Sequence, residues 1–243
     1  MPFDEQYFST HTYKDTSFAR FSQYWWSNRF FAILARRYGE RGAALLEIGS
    51  GLGHLVGQLE GSFATAAVDI NHWALARSKP VAPHTHLQVA SAEGLPFADG
   101  TFGVVITKHV VEHLPHPGQA IRELGRVLRT GGILILATPN LDSLLKPLKG
   151  ERWIGYQDPT HISLKPPAEW LSMLQGAGFI FRRVFADGFW DVPYIRGIPT
   201  GLQKLTFGSL GGLQAILGQP FLPRRWGESI IVVAQKSTVD KTR

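Results

Sequence analysis

The segment LLEIGSGLGHL at residues 45–55 constrains this chain more than any other, because an apolar run leads to one acidic residue and then to glycines at every second position. Ala43, Ala44, Leu45, Leu46 and Ile48 read as a short strand buried on both faces. The backbone must then turn sharply at Gly49, Gly51 and Gly53, where the missing Cβ also lets a ligand approach the main chain. Spacing separates two kinds of nucleotide-containing cofactor here. In the dinucleotide fingerprint G-x-G-x-x-G, the third glycine stands three positions after the second and packs the helix whose N-terminus holds the pyrophosphate. His54 occupies that position, the third glycine comes one residue early, and Glu47 would repel a pyrophosphate. The spacing therefore argues against a dehydrogenase. The segment alone also admits a ligand-free turn between strand and helix, so the decision falls to the residues C-terminal to it.

Residues 64–70, ATAAVDI, read as a second strand ending in Asp69, at about the interval where an acidic residue meets the ribose of a cofactor bound at the first turn. Asn71 is placed to cap a helix, HWALARS. Next come HLQVASAEGLPF at 86–97, DGTFGVVITKHVVEHLP at 99–115 and PGQAIRELGRVLRTGGILILATPN at 117–140. The last reads as a helix opened by Pro117, with Ile121, Leu124, Val127 and Leu128 at helical spacing. Gly131 and Gly132 are expected to end it before a buried strand at 133–137. Arg122, Arg126 and Arg129 fall on one side of that helix and read as a solvated face, three charges being few for tracking phosphates. In this order the five segments resemble the class I S-adenosylmethionine-dependent methyltransferases, of the small-molecule, ubiquinone/menaquinone-biosynthesis-like kind.

That resemblance implies an α/β fold: a doubly wound, seven-stranded Rossmann-like sheet whose last strand pair is antiparallel. It implies an N-terminal helical lid at 1–41, a cofactor core at 42–187, an apolar insertion at 188–227, and the last strand and tail at 228–243, all in one domain. The implied cofactor is S-adenosylmethionine, with S-adenosylhomocysteine as product. Glu47 would face the methionine end beside Gly49, Ser50, Gly51 and Gly53. Asp69 and Ile70 would follow the second strand at the ribose, and Lys108 completes the cofactor set. Where the family usually has Asp before Ala at the adenine, this chain has Ser91, leaving the backbone of Ala92 and the carboxylate of Glu93 for that contact. A second departure is Gly103, which replaces an Asp that is mostly structural in the family.

Composition narrows the chemistry further. The 243 residues, 44% of them hydrophobic, suffice for one α/β core. The absence of cysteine removes disulfides, a thiolate nucleophile and cysteine-ligated metal, and the nine histidines show no H-E-x-x-H spacing, so no metal is expected. Without an 18-residue apolar run or a charged-then-apolar leader, the expectation is a cytoplasmic protein. The net charge of +6 is not clustered and selects no partner. A nucleic-acid base methyltransferase would need a D/N/S-P-P-Y/F loop after the fourth strand, where TKHV stands, or a cysteine nucleophile. Nucleic acid is therefore not the expected acceptor. RNA methylation by another route and a non-catalytic cofactor-binding protein remain as alternatives.

Two flanks carry the choice of acceptor. Residues 3–38 are rich in aromatics, from Phe3 and Tyr7 to Trp25, Trp26, Phe30 and Phe31, and from Ser22 onward read as an amphipathic helix closed by Gly39. It can be a lid whose rings suit a sulfonium, or a helix packed on the sheet. Phe179–Ala186 and residues 229–234 read as the final strand pair, separated by about forty residues rich in apolar side chains, far longer than a hairpin connection. Within 188–227 a helix over Thr200–Leu217 is expected to cover the acceptor pocket, lie on a membrane, or mediate dimerisation; the protein is a monomer or homodimer accordingly. The loop at 141–167, with ERWIGYQDPTHISLKPP, resembles loops that line acceptor sites in small-molecule and sugar-pathway methyltransferases. His161, then His109, are the candidates for a general base, with Asp158 and His113 nearby in the motifs. The expected reaction is in-line displacement of a methyl group onto oxygen, nitrogen or carbon of a small molecule, for which position matters most.

Overall fold

Short apolar runs become strands when a parallel sheet can bury both their faces. The computed structural model describes residues 16–238, and seven such strands lie in the order β3-β2-β1-β4-β5-β7-β6. β1 (Ala44–Ile48) pairs in parallel with both β2 (Ala64–Asp69) and β4 (Phe102–Lys108). β3 (His86–Val89) extends one half and β5 (Leu128–Pro139) the other, both in parallel. β7 (Ser229–Lys236) enters antiparallel between β5 and β6 (Phe179–Ala186). Chain order reverses between β1 and β4, which opens a crevice at the carboxyl ends of these two strands.

Helices cover both faces of the sheet. α1 (Gln23–Tyr38) starts at Ser22, whose hydroxyl accepts the Trp25 N–H at 3.1 Å, and ends where the Gly39 N–H returns to the Ala35 carbonyl. Its Phe30, Phe31, Leu34 and Ala35 join Leu45, Val104, Ile106 and Ile135 in one apolar layer. α2 (His54–Gly57) and α3 (His72–Ser78) follow β1 and β2; Asn71 caps α3 by accepting the Ala74 N–H at 3.1 Å. On the opposite face α4 (Pro117–Val127) and α7 (Pro167–Gly176) bury Ile121, Leu124, Trp170 and Leu174. Two single-turn helices, α5 (Lys146–Lys149) and α6 (Ile154–Gln157), sit in the loop after β5.

Three expectations around α4 need correction. The helix stops at Val127, because the chain is already extended at Leu128, where β5 begins. Gly131, at φ +75°, serves instead in a register irregularity of the β4–β5 pairing. Arg129 therefore lies on the strand, and the three arginines share no helical face. Arg126 is not simply solvated either: it forks onto Glu123, the Phe97 and Leu95 carbonyls at 2.7 and 2.9 Å, and Asp99 at 2.8 Å, stitching down the preceding loop. Arg129, paired with Glu40, also explains Gly103. A Cβ there would come within 2.9 Å of the Ala43 Cβ and 3.2 Å of the Arg129 Nε.

The segment between β6 and β7 forms α8 (Thr200–Leu217), with the bounds expected from its apolar residues. What it buries is not its leucines. The inward face carries Gln203, Gly211, Gln214 and Ala215. Gln203 accepts the N–H groups of Tyr194 and Ile195 at 2.8 and 3.0 Å and donates to the carbonyls of Ile195 and Ile198 at 2.9 and 2.8 Å. Gln214 donates to the Ala186 carbonyl at 2.8 Å and accepts from Phe221 and Leu222, both at 2.9 Å. Gly211 permits the close approach: a Cβ there would lie 2.7 Å from the Asp187 carbonyl. Each glutamine replaces backbone partners that an irregular segment cannot supply itself. Gln203→Leu, which keeps the bulk but leaves the buried Tyr194 N–H and three part-buried backbone groups of Ile195 and Ile198 without this partner, is expected to lower unfolding stability by about 1–3 kcal/mol in urea or thermal denaturation. Lys204→Ala, beside it and exposed, should change stability little.

Candidate functional site

The carboxyl ends of β1, β2, β4, β5 and β6 surround a cavity of about 970 Å³. Its floor is the glycine turn after β1, where Gly49 and Gly51 adopt φ +72° and +51°. A Cβ at Gly49 would meet the Val110 Cγ2 at 2.3 Å, so only glycine fits. Glu47, Ser50, Asp69, Ile70, Ser91, Ala92, Lys108, His109 and His161 all line the space with these glycines. Two expected residues do not. Gly53 (φ +76°) caps α2, where a Cβ would stand 2.7 Å from that of Ser78; it lets α2 and α3 pack closely and does not line the cavity. Glu93 turns away to accept the His116 N–H at 2.6 Å before α4, while its carbonyl accepts from Gln119. Its carboxylate thus caps a helix and is not offered to the cavity.

Two charged groups of opposite sign, Glu47 and Lys108, line the floor without a direct ion pair. Burial pushes the Glu47 carboxyl up to about 8, against the pull of Lys108. Burial likewise lowers Lys108 to about 8, against the pull of Glu47 and Asp187. The Lys108 ammonium donates to the Ser27 hydroxyl at 3.0 Å and the Asn28 side-chain oxygen at 3.1 Å, and lies 5.2 and 5.6 Å from the Phe31 and Tyr24 rings. The Glu47 Oε2 and Ser50 Oγ are buried with no hydrogen-bond partner, which sets them apart from ordinary buried polar groups. Asp69 accepts from the Gly51 and Asn71 N–H groups at 2.8 and 2.9 Å and also from the Ile70 N–H, which leaves the carboxylate room for one further donor. Burial raises its pKa against those bonds. A buried carboxylate with one oxygen unpartnered, an ammonium in the same cavity and an aspartate above a glycine turn suit an α-amino acid joined to a ribose.

The opposite side of the cavity holds the histidines. His109, at φ +55°, places Nδ1 3.1 Å from the Glu112 carboxylate and Nε2 3.3 Å from the Ser229 hydroxyl. Glu112 also accepts from the Thr138 hydroxyl at 3.1 Å. Burial works against its charge, yet the bond from His109 and the nearby His113 hold it below the usual carboxylate range. The His161 Nδ1 lies 2.7 Å from the Gly155 carbonyl, and its ring sits 4.6 Å from that of His113. Asp158 accepts from the Thr160 hydroxyl at 2.6 Å, and that oxygen lies 2.8 Å from the His113 Nδ1. Glu112, His113 and His161 offer ligand atoms within 4.8 Å of one another, a grouping the spacing did not disclose; both Glu112 oxygens are already engaged by His109 and Thr138.

Other lining residues escaped the sequence reading. Asp187, just past β6, accepts the Ser229 N–H at 2.8 Å and is raised to about 6 by burial. Glu228 accepts from the Tyr194 hydroxyl and the Trp153 indole, and burial raises it. Both stand at the ends of apolar strand runs, in A-D-G and G-E-S, a signal that existed but has no distinctive spacing. Trp26, Phe30 and Phe31 of α1 and Gly211 and Ala215 of α8 complete the wall, so α1 both lines the cavity and packs on the sheet.

A family model described as a methyltransferase domain matches residues 19–182. The chain belongs to that family. With the sheet order, the match makes it a class I methyltransferase, the S-adenosylmethionine-dependent type. It is 31% identical over 133 residues to a ubiquinone/menaquinone biosynthesis C-methyltransferase of Geotalea uraniireducens, covering 49% of this chain and 56% of that one. It is 30% identical over 108 residues to a phosphatidylethanolamine N-methyltransferase of Cereibacter sphaeroides, covering 42% and 53%. The chain spans about half the length of the curated relatives it matches. The crystal structure of PH0226 from Pyrococcus horikoshii superposes with TM-score 0.65 over 97% of this chain and all of that one, at 19% identity. That likeness concerns the fold.

A cofactor ammonium held by Glu47 should bind in a pH-dependent way. Only the ionised carboxylate attracts an ammonium, and its ionised fraction rises up to about pH 8. S-adenosylhomocysteine, whose α-amine stays protonated in this range, should therefore bind on the order of tenfold more tightly at pH 7.5 than at pH 6.5 by calorimetry. Glu47→Gln should bind weakly with no such slope. A flat profile for the unaltered protein would contradict the assignment.

Proposed function

We propose that the protein transfers a methyl group from S-adenosylmethionine to a small amphiphilic acceptor held between α1, α8 and the loop carrying His161. The observation that carries this reading is one continuous cavity lined by Glu47, whose Oε2 has no partner, and Lys108, and also by His109 and His161. Glu47 would hold the methionine ammonium, Lys108 and Ser50 its carboxylate, Asp69 the ribose hydroxyls, and the backbone at Ser91 and Ala92 the adenine. When bound, the cofactor supplies a methyl group already activated on a positive sulfur.

The residues around it have two tasks, to align the acceptor and to exclude water. The rings of Trp26, Phe30 and Phe31 with the inner face of α8 give the apolar wall for both. If the acceptor atom carries a proton, His161 takes it. Donation of its Nδ1–H to the Gly155 carbonyl leaves the lone pair on Nε2, the tautomer a base requires. His109 has a ring nitrogen turned to Glu112 and the other to Ser229, which suits it to orient the acceptor side of the cavity. Two named relatives support an amphiphilic acceptor, since their names give quinone biosynthesis and phosphatidylethanolamine.

The test is transfer of labelled methyl from S-adenosylmethionine into an organic-solvent extract of host membranes and, in parallel, an aqueous metabolite extract. Label in the organic fraction is the expected result. Label only in the aqueous fraction overturns the acceptor class, and absence of cofactor binding overturns the enzyme. His161→Ala should lower kcat by roughly 10²–10⁴-fold while leaving S-adenosylhomocysteine affinity unchanged, as expected for a lost general base.

A further inference from the structure

Helix α8 is amphipathic in the reverse sense for a helix packed on a protein core. Its inward face carries Gln203, Gly211, Gln214 and Ala215, whereas Leu202, Leu205, Leu213, Ile216 and Leu217 point outward. Leu205 is 71% exposed, and the other four lie between 47% and 55%. Positions 202, 205, 213 and 216 recur at helical spacing and form one stripe. Phe221 and Trp226 extend the exposed apolar surface, in a segment that Gln214 ties to the helix through the Phe221 and Leu222 N–H groups. Contiguous apolar surface of this kind marks an interaction site.

Charge selects the occupant. Across residues 188–227 the one acidic side chain, Asp191, is bound by Lys149 at 2.9 Å. The basic side chains Arg196, Arg224 and Arg225 are exposed, and none has an ion pair among the described residues; Lys204 is exposed too but lies on the side of α8 away from the leucine stripe. A second copy seated by two-fold symmetry would set this basic fringe against itself. An anionic lipid surface would neutralise it while burying the leucines, the arrangement of interfacial helices. No helix among the described residues is long and apolar enough to cross a membrane, so the helix would lie in the interface plane.

We propose that the outer face of α8, with Phe221 and Trp226, docks on an anionic lipid bilayer. The inner face of the same helix lines the cavity at Gly211 and Ala215, so docking brings a cavity wall against the lipid. The surface and its charges stand apart from the methyl donor and the acceptor, and docking is read without either. The full chain, without cofactor, is mixed with phosphatidylcholine vesicles or with vesicles that also contain phosphatidylglycerol, and flotation is measured together with sedimentation velocity.

Flotation with the anionic vesicles is the expected result, falling about tenfold with phosphatidylcholine alone and with Arg224→Gln/Arg225→Gln, since charge and apolar burial both contribute. Leu205→Glu/Ile216→Glu should abolish it. Both substituted side chains are exposed, and unchanged binding of S-adenosylhomocysteine shows that the fold is retained. Absence of flotation by the unaltered chain refutes the docking, and so does a dimer that Leu205→Glu/Ile216→Glu disperses. Either result leaves the methyl-transfer reading to its own test.

Discussion

Glu47, buried, and Lys108, half-buried, stand at the same end of two adjacent strands, and the carboxyl edge of the sheet is organised around them. Burial disfavours each charge by itself, and each pulls back toward its ionised form only because the other is present. Buried ion pairs seldom repay their desolvation unless every remaining lone pair and proton is satisfied. Lys108 meets that condition in part, donating two of its three protons to Ser27 and Asn28, which ties α1 to the sheet. Glu47 does not, because its Oε2 has no partner. A stability argument would replace this pair with apolar side chains. Its persistence beside a glycine turn is better explained by a zwitterionic ligand that completes both halves, so α1, the turn and the strand ends form one binding device.

The far side of the cavity is built by a different logic. There the chain runs between β6 and β7 without a regular partner for its backbone, and two glutamines on α8 do that work from inside. Spending the inward face of a helix on hydrogen bonds leaves its leucines nowhere to go but outward. The exposed stripe and the anchored loop are therefore two sides of one choice. The glycines at 211 and 188 make the same point, since a Cβ at Gly188 would stand 2.6 Å from the Gly211 Cα. Close backbone approach and inward amides together leave room for a cavity wall without a thick apolar layer.

How much of this was legible in the sequence depended on how local the information is. The strands, α1 from Ser22 to Gly39 and α8 from Thr200 to Leu217 follow from apolar runs, caps and glycines, each within a few residues of its effect. The glycine turn after β1 and the acidic residue ending β2, which line the cavity together, are likewise local to one strand-turn-helix unit and the next strand. Errors came where a residue had two outlets. Gly131 could end a helix or open a strand irregularity, and the extended backbone at Leu128 decided it. Glu93 could face the adenine or the start of α4, and the open N–H before that helix took it.

The acceptor half could not be read in the same way, because its parts meet only through long-range packing. His109, Glu112, Thr138 and Ser229 come from β4 and the turn after it, from β5 and from β7, and are joined by sheet pairing. Glu228, Tyr194 and Trp153 likewise meet from three separate segments. No spacing rule connects residues 153, 194 and 228. A donor that is the same molecule for every member of a family can be met by one local motif. The acceptor differs between members, and its site is assembled from loops whose lengths and contacts can vary without disturbing that motif. The donor motif therefore identifies the family, while the chemistry that distinguishes this chain lies in the contacts among β7, α8 and the loop after β5.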